Sequence, residues 1–151
     1  MVLDRRQHTI YTDKTKKAMK LCFEAHKDQV DKSGMPYMFH PFHVAEQMKD
    51  EATTIVALLH DVVEDTKYTL DDIAKMGLGQ DVVDALTLMT HDKSVEYLDY
   101  VAKIKDNPIA RAVKLADLAH NSDPTRLDVI DEEARKRSEK YKKAIALLES
   151  N

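Results

Sequence analysis

The sequence predicts a single all-α domain, because turn residues are scarce, apolar residues recur at helical spacing and no long alternating stretch occurs. The 151 residues include only 3 Gly and 4 Pro, fewer than the turns of a sandwich or barrel require. A chain of this length is expected to bury about two thirds of its unfolded surface as one domain. We therefore predict one helical domain over residues 1–151.

Four helices are predicted in the first half of the chain, over residues 13–31, 41–50, 53–65 and 69–77. Apolar spacing indicates the first helix, and Pro41 is expected at the first position of the second, after a short extended piece at 37–40. The third is almost continuously apolar at 55–59, which indicates a buried central element. Thr69 and Asp72 form a variant capping box that opens the fourth.

Four more helices are predicted over residues 81–89, 94–105, 107–121 and from 131 to near the C-terminus. A polar break at 90–93 separates the first two. Asn107 and Pro108 provide a cap and a first-turn residue for the third. Acidic residues in the first turn favour the last helix, and one of its faces carries Ala134, Arg137, Ser138, Tyr141, Ile145 and Leu148.

Composition argues against several classes of protein. The 23 Lys and Arg against 27 Asp and Glu give a net charge of −4, which argues against nucleic-acid binding, and glutamates dilute the basic stretch at 135–143. No apolar run approaches the roughly 20 residues of a membrane span, and residues 1–6 do not resemble a signal peptide. Cys22 is the single cysteine, so a cytoplasmic protein without an intrachain disulfide is expected. The oligomeric state does not follow from the sequence.

Ionisable residues crowd the end of the predicted central helix. At 100° per residue, His60, Asp61, Glu64 and Asp65 would occupy one contiguous arc. Burying these groups would be costly without compensation, and a divalent metal is the simplest compensation. A solvated helix end is the alternative, and it is the commoner explanation of an isolated His-Asp pair.

Two further residues favour the metal. His40 lies beside the predicted start of a helix, and Asp117 lies on a helix whose other face is apolar. Together with His60 and Asp61 they form a mixed nitrogen and oxygen ligand set, which suits Mn²⁺, Fe²⁺ or Zn²⁺ with open positions for water. Such a site is typical of a hydrolase.

Three segments resemble the motifs of the HD-domain alarmone hydrolases, the RelA/SpoT-type enzymes, in order and in spacing. They are DKSGMPYMFHPFHVA at 31–45, ALLHDVVEDT at 57–66 and VKLADLAHN at 113–121. The chain is similar to the small, hydrolase-only members. The resemblance implies an HD-domain helical bundle, a Mn²⁺ held by His40, His60, Asp61 and Asp117, and removal of the 3′-pyrophosphate from guanosine tetra- or pentaphosphate.

Roles for the neighbouring residues are expected from their positions. Glu64, one turn beyond His60, is expected to be the general base, and Asp65 to share the proton transfer or to fix a ligand. The alternative for both carboxylates is hydrogen bonding at a helix end. A polyanionic substrate needs local cations and donors, and the candidates for substrate binding are Lys32, Ser33, Tyr37, Lys114 and Asn121.

Two positions depart from the family pattern. Asp31 stands where an Arg that helps hold the guanine base is usual, and Leu118 stands where Arg or Lys is common. A carboxylate cannot stack or donate as a guanidinium does. Two alternatives therefore stay open: an HD phosphohydrolase for another nucleotide, such as NADPH or a non-guanine alarmone, and a metal-binding module without turnover.

Overall fold

The computed structural model describes residues 9–150, so the N-terminal residues 1–6 considered above lie outside it. The α-helices in this range are α1 (Asp13–His26), α2 (Phe39–Glu46), α3 (Glu51–Leu59), α4 (Val62–Asp65), α5 (Leu70–Ala74), α6 (Gln80–Met89), α7 (Tyr97–Ile104), α8 (Pro108–Asn121) and α9 (Glu132–Glu149). A short 3₁₀ helix covers Pro124–Arg126. The predicted all-α class is confirmed, since the only strand-like pairing within residues 9–150 is an isolated bridge between Val30 and Pro36.

Helix α3 lies at the centre of the molecule. Its residues from Thr54 to Leu59 are at most 1% exposed, and it packs against α1, α2, α6 and α8. Such a helix contributes strongly to stability, because each fully buried aliphatic side chain contributes roughly 1.5–3 kcal/mol. The neighbours of α3 are therefore held in fixed positions around its C-terminal end. No helix among residues 9–150 is both long and apolar enough to cross a membrane.

Local capping explains three of the helix starts that the sequence predicts. Thr69 and Asp72 form the reciprocal capping box of α5, Asn107 caps α8 ahead of Pro108, and Asp131 caps α9 through Ala134 N. Each cap satisfies backbone N–H groups that have no partner within the helix.

The predicted single helix over residues 53–65 is wrong. Helix α3 ends at Leu59 and α4 begins at Val62, with Asp61 at φ −101° and ψ −2° between them. His60 Nδ1 lies 2.6 Å from Ala57 O, the carbonyl that would accept from Asp61 N in a continuous helix. The side chain thus competes with the backbone at this point, and the single helical arc proposed for His60 to Asp65 does not exist.

Other predicted boundaries are also wrong, since α2 ends at Glu46 rather than 50 and α5 at Ala74 rather than 77. Helix α1 ends at His26 rather than 31, where Gln29 N bonds back to His26 O. Residues 39 and 40 are helical instead of extended, so Pro41 is the third residue of α2 and not its first. Helix α7 begins at Tyr97 rather than 94, because Ser94 bonds through N and Oγ to the Asp92 carboxylate in a turn.

Candidate metal centre

Four predicted ligands from three parts of the fold lie together. His40 comes from the first turn of α2, His60 and Asp61 from the turn between α3 and α4, and Asp117 from α8. One ligand atom from each lies within 4.8 Å of the others. His40 Nε2 is 2.8 Å from Asp117 Oδ1, and His60 Nε2 is 3.1 Å from Asp61 Oδ2. The helix break at His60 therefore presents both residues of the pair to the same point.

Packing of the central helices fixes this arrangement. Helices α2, α3 and α8 contact one another pairwise, which brings His40, His60 and Asp117 together although they are far apart in sequence. All three residues are at most 4% exposed. Leu118, at the position where the resemblance leads one to expect a basic residue, is fully buried in the core, and so it anchors the helix that carries Asp117.

Strong mutual electrostatics shape the cluster. Burial alone would lower the pKa of His60, but the carboxylates of Asp61 and Asp117 outweigh it and hold that pKa well above its usual value. Burial alone would raise the pKa of Asp117, but Lys114 and His60 hold it well below the usual range. The cluster thus keeps its carboxylates ionised inside the fold, which is the state that ligates a cation.

A second layer of contacts orients the four side chains. Tyr37 Oη donates to Asp61 Oδ2 at 2.5 Å. Asp117 accepts from Asn121 Nδ2 on Oδ1 and from Lys114 Nζ on Oδ2, both at 3.0 Å. Outer contacts of this kind are what orient the ligands of metal sites.

A cavity of about 510 Å³ lies beside the cluster. Tyr37 and Asn121 line it and also bond to Asp61 and Asp117, so they connect the cavity to the cluster. The remaining walls come from the loop after α1, the segment between α8 and α9, and α9 itself. Its cationic lining residues are Lys32, Arg126, Arg135, Arg137 and Lys142, and its acidic ones are Asp31, Asp123 and Glu139.

Four of the five predicted substrate-binding residues line this cavity, namely Lys32, Ser33, Tyr37 and Asn121. Lys114 is not among the lining residues. Its ammonium group bonds to Asp117 and lies 5.4 Å from the centre of the Tyr100 ring. The hydroxyl of Ser33 is also engaged, since it donates to Arg126 O and accepts from Asp128 N. Ser33 therefore joins two walls of the cavity.

Glu64 and Asp65 lie in α4, outside the four-residue cluster. The Glu64 carboxylate accepts a hydrogen bond from His91 N. Burial raises the pKa of both carboxyl groups, and the negative charge of Asp61 raises them further. A carboxylate with a raised pKa is better matched to proton transfer near neutral pH than an ordinary one.

Sequence reasoning missed Arg126 and underestimated His120. Arg126 Nη1 donates to His120 O and Asn121 Oδ1, and its Nη2 lies 3.7 Å from Asp31 Oδ2. His120 was not among the predicted site residues, yet its Nδ1 lies 2.8 Å from His40 Nδ1. The spacing of His120, three residues after Asp117, was the available signal, whereas nothing local in the sequence pointed to Arg126.

Comparison with known proteins places the chain in a family. The HD domain family matches residues 18–107, a stretch that contains His40, His60 and Asp61 and ends before Asp117. The chain therefore belongs to the HD-domain family. The donor set agrees with this membership, because two buried imidazoles and two ionised carboxylates are ligand types that suit a divalent transition metal.

Its relatives confirm the resemblance to the RelA/SpoT-type proteins. The chain is 38% identical over 114 residues to guanosine-3′,5′-bis(diphosphate) 3′-pyrophosphohydrolase MESH1 of Mus musculus, covering 66% of this chain and 63% of that protein. It is 35% identical over 143 residues to GTP pyrophosphokinase of Myxococcus xanthus, covering 83% and 18%. The chain spans less than a fifth of the length of the pyrophosphokinases it matches.

A solved structure supports the same grouping. It comes from a study titled as showing that a metazoan ortholog of SpoT hydrolyses ppGpp. The two structures match with a TM-score of 0.77 at 25% sequence identity, over 95% of this chain and 89% of the other. The match therefore extends over α8 and α9, beyond the part that the HD domain family covers.

Proposed function

We propose that this protein is a Mn²⁺-dependent hydrolase that removes the 3′-pyrophosphate of guanosine tetra- and pentaphosphate, giving GDP or GTP and pyrophosphate. The observation that carries the proposal is the contact between the His-Asp cluster and the cationic cavity through Tyr37 and Asn121. The names of the relatives point to the same reaction.

His40, His60, Asp61 and Asp117 would hold the metal. When bound there, a divalent cation lowers the pKa of a water ligand and polarises the phosphoryl oxygen under attack. Mn²⁺ is proposed because the ligand set mixes imidazole with carboxylate. In this proposal Lys114 serves the metal site, since its ammonium group holds the ionised carboxylate of Asp117 in place.

The substrate would occupy the cavity with its phosphates toward the cluster. Lys32 is exposed at the rim, and Arg137 and Lys142 approach from α9. These cations would offset the charge of a polyphosphate. Tyr37 and Asn121 would contact the part of the substrate nearest the metal, because they are the residues shared by the cavity and the cluster.

Glu64 would accept the proton of the attacking water, and Asp65 would assist by sharing that proton or by fixing a ligand. Support comes from the position of Glu64, three residues after Asp61, and from its raised pKa. The hydrogen bond from His91 N would orient one carboxylate oxygen and leave the other available to accept a proton. Product release would then return the proton to solvent.

A direct assay tests this function. Purified protein with Mn²⁺ and guanosine tetraphosphate is expected to release pyrophosphate and GDP in equal amounts. The products are measured by anion-exchange chromatography. A chelated sample serves as the control and is expected to show no product. Binding of the nucleotide without any product, with Mn²⁺ present, would contradict the proposal and favour the module without turnover.

One observation favours a second candidate, a phosphohydrolase for another nucleotide. Asp31 carries a negative charge in the cavity wall and lies beside Arg126, so the cation that the family pattern puts at this position is absent. Release of single phosphate from NADPH or an adenine nucleotide, at a higher kcat/KM than for guanosine tetraphosphate, would support this candidate. Assaying Asp31→Asn beside the unchanged protein shows whether this carboxylate sets the preference for the base.

A further inference from the structure

The imidazole rings of His40 and His120 are in direct contact beside the cluster. Their Nδ1 atoms lie 2.8 Å apart, the ring planes differ by 5° and the ring centroids are 5.0 Å apart. The centroid separation equals the N–N distance plus the distance from centroid to Nδ1 in each ring. The two Nδ1 atoms therefore lie on the line between the centroids, and the nearly parallel rings lie edge to edge in one plane. This is the geometry of a linear N–H···N hydrogen bond, and not of face-to-face stacking.

The proton in this bond has a defined place when a metal is bound. His40 Nε2 points into the cluster, 2.8 Å from Asp117 Oδ1 and 3.8 Å from Asp61 Oδ2. A metal takes the lone pair of Nε2, so a neutral imidazole must carry its proton on Nδ1. That proton faces His120 Nδ1, which must then be the acceptor.

We propose that His120 is a positioning residue for the metal centre, accepting the Nδ1 proton of His40 and thereby presenting His40 Nε2 to the metal. This inference rests on the proposed metal site. His120 acts through His40 and touches no other residue of the cluster by hydrogen bond within the described part of the chain.

The surroundings of His120 suit an acceptor. The backbone carbonyl of His120 accepts from the guanidinium of Arg126 at 3.0 Å, which fixes the backbone of this residue. On its other side, the ring of His43 stacks against His120 with centroids 4.0 Å apart. His120 is therefore held in its plane by packing, and its lone pair is kept aimed at His40.

Replacing His120 by residues of matched shape tests the role. In His120→Asn the side-chain oxygen stands near the position of Nδ1 and can accept, whereas His120→Leu has a similar shape and no acceptor. We expect His120→Leu to weaken Mn²⁺ binding about 10- to 100-fold, and His120→Asn to restore most of the affinity. The amount of free Mn²⁺ is measured by electron paramagnetic resonance, and circular dichroism checks the fold.

His43→Phe is the matched control, because it removes the imidazole next to His120 but keeps a ring stacked against it, so the His40–His120 bond is retained. Its Mn²⁺ affinity is expected to stay within about 3-fold of the unchanged protein. Equal affinities for His120→Leu and the unchanged protein would overturn the inference, as would equal losses in the Leu and Asn variants. Failure of the unchanged protein to bind Mn²⁺ would instead overturn the proposed metal site.

A second measurement decides the matter even where His120→Leu does not fold. In the unchanged protein loaded with Zn²⁺, which is diamagnetic, ¹⁵N chemical shifts report which ring nitrogens carry protons. We expect a protonated Nδ1 on His40 and an unprotonated Nδ1 on His120. The opposite assignment would show that His120 is the donor, and the inference would be wrong.

Discussion

The His-Asp cluster and the cavity beside it are built in different ways. The cluster comes from two helices and the turn that follows a third, all packed around the buried end of α3, and three of its four residues are at most 4% exposed. The cavity is walled by a loop after α1, the segment between α8 and α9, and one face of α9. Rigid packing thus fixes the cluster, while contacts between segments far apart in sequence shape the cavity.

This difference teaches which part of the site determines which property. A cluster held by core packing preserves the positions of the ligands whatever lines the cavity, and so the chemistry is separable from the choice of substrate. In the cavity wall, the Asp31–Arg126 ion pair and the two hydrogen bonds of Ser33 are surface contacts between loops. Such contacts change readily without loss of the fold.

The largest expected effect separates metal binding from proton transfer. Asp61→Ala removes a ligand, so we expect it to lose both Mn²⁺ binding and turnover. Glu64→Ala lies outside the cluster and is expected to keep the metal while turnover falls about 10²- to 10⁴-fold, as for loss of a general base. Metal content of the dialysed proteins and release of pyrophosphate are the two measurements.

Loss of metal from the Glu64 variant would contradict the assignment of this residue as the base. Retention of metal by Asp61→Ala would show that the other three residues suffice to bind the metal, and Asp61 would then not belong to the ligand cluster. Asp65→Ala assayed in parallel shows whether the second carboxylate of α4 shares the proton transfer.

Sequence alone predicted the cluster far better than the cavity. His60 and Asp61 are adjacent, and the caps at Thr69, Asn107 and Asp131 depend on residues within one turn, so local patterns suffice for them. His40 and Asp117 were candidates from their positions on predicted helices, and the family resemblance then implied that they hold the metal. The break after Leu59 was missed, because it depends on a buried ring that bonds to a backbone carbonyl.

Four predicted residues line the cavity, but most of its wall could not be predicted, for a different reason. Ser33 and Asp128 are 95 positions apart in sequence, and no periodicity reports a contact between two loops. Tyr141 lies on the predicted helical face with Arg137 and Ser138, and it both packs against the core and lines the cavity with them. Only Ala144 and Leu148, further along α9, are fully buried, so one helical face serves two surroundings.

A second prediction concerns how the cluster tolerates its charges. The Lys114 and Asp117 side chains are 12% and 6% exposed and pair at 3.0 Å. Lys114→Met leaves the buried carboxylate of Asp117 without its cation. We expect the free energy of unfolding, measured by urea denaturation, to fall by about 3 kcal/mol. Lys136→Met is the control, because the Lys136–Glu133 pair at 4.0 Å is about two thirds exposed or more and exposed pairs contribute about 0–1 kcal/mol.

Similar losses in the two lysine variants would mean that the histidines alone compensate Asp117. In that case the buried Lys114–Asp117 pair would contribute no more to stability than the exposed Lys136–Glu133 pair. Saturating Mn²⁺ is expected to recover part of the stability of Lys114→Met, since a bound cation replaces the missing charge and stabilises the folded state by mass action.

The smallest expected effect concerns His26, whose ring lies next to Tyr37, a residue that contacts both the cluster and the cavity. Its ring is 1% exposed and lies 5.0 Å from the ring of Tyr37, and its Nδ1 is 2.7 Å from Gln29 Oε1. Burial lowers the pKa of His26, so the folded state binds a proton at lower pH than the unfolded state. Between the ordinary histidine pKa near 6.5 and the lower folded value, the unfolded chain carries more protons, and stability therefore falls as pH decreases.

Replacing His26 by Leu is expected to remove this part of the pH dependence. The free energy of unfolding, measured in urea from pH 7.5 to pH 5, should decline less steeply for His26→Leu than for the unchanged protein. The difference between the two declines is expected to be smaller than the loss of stability in Lys114→Met. Identical slopes would show that His26 is not held neutral. The packing of His26 against Tyr37 would then be loose, like the contacts of the cavity wall, and Tyr37 would belong to the cavity rather than to the rigidly packed cluster.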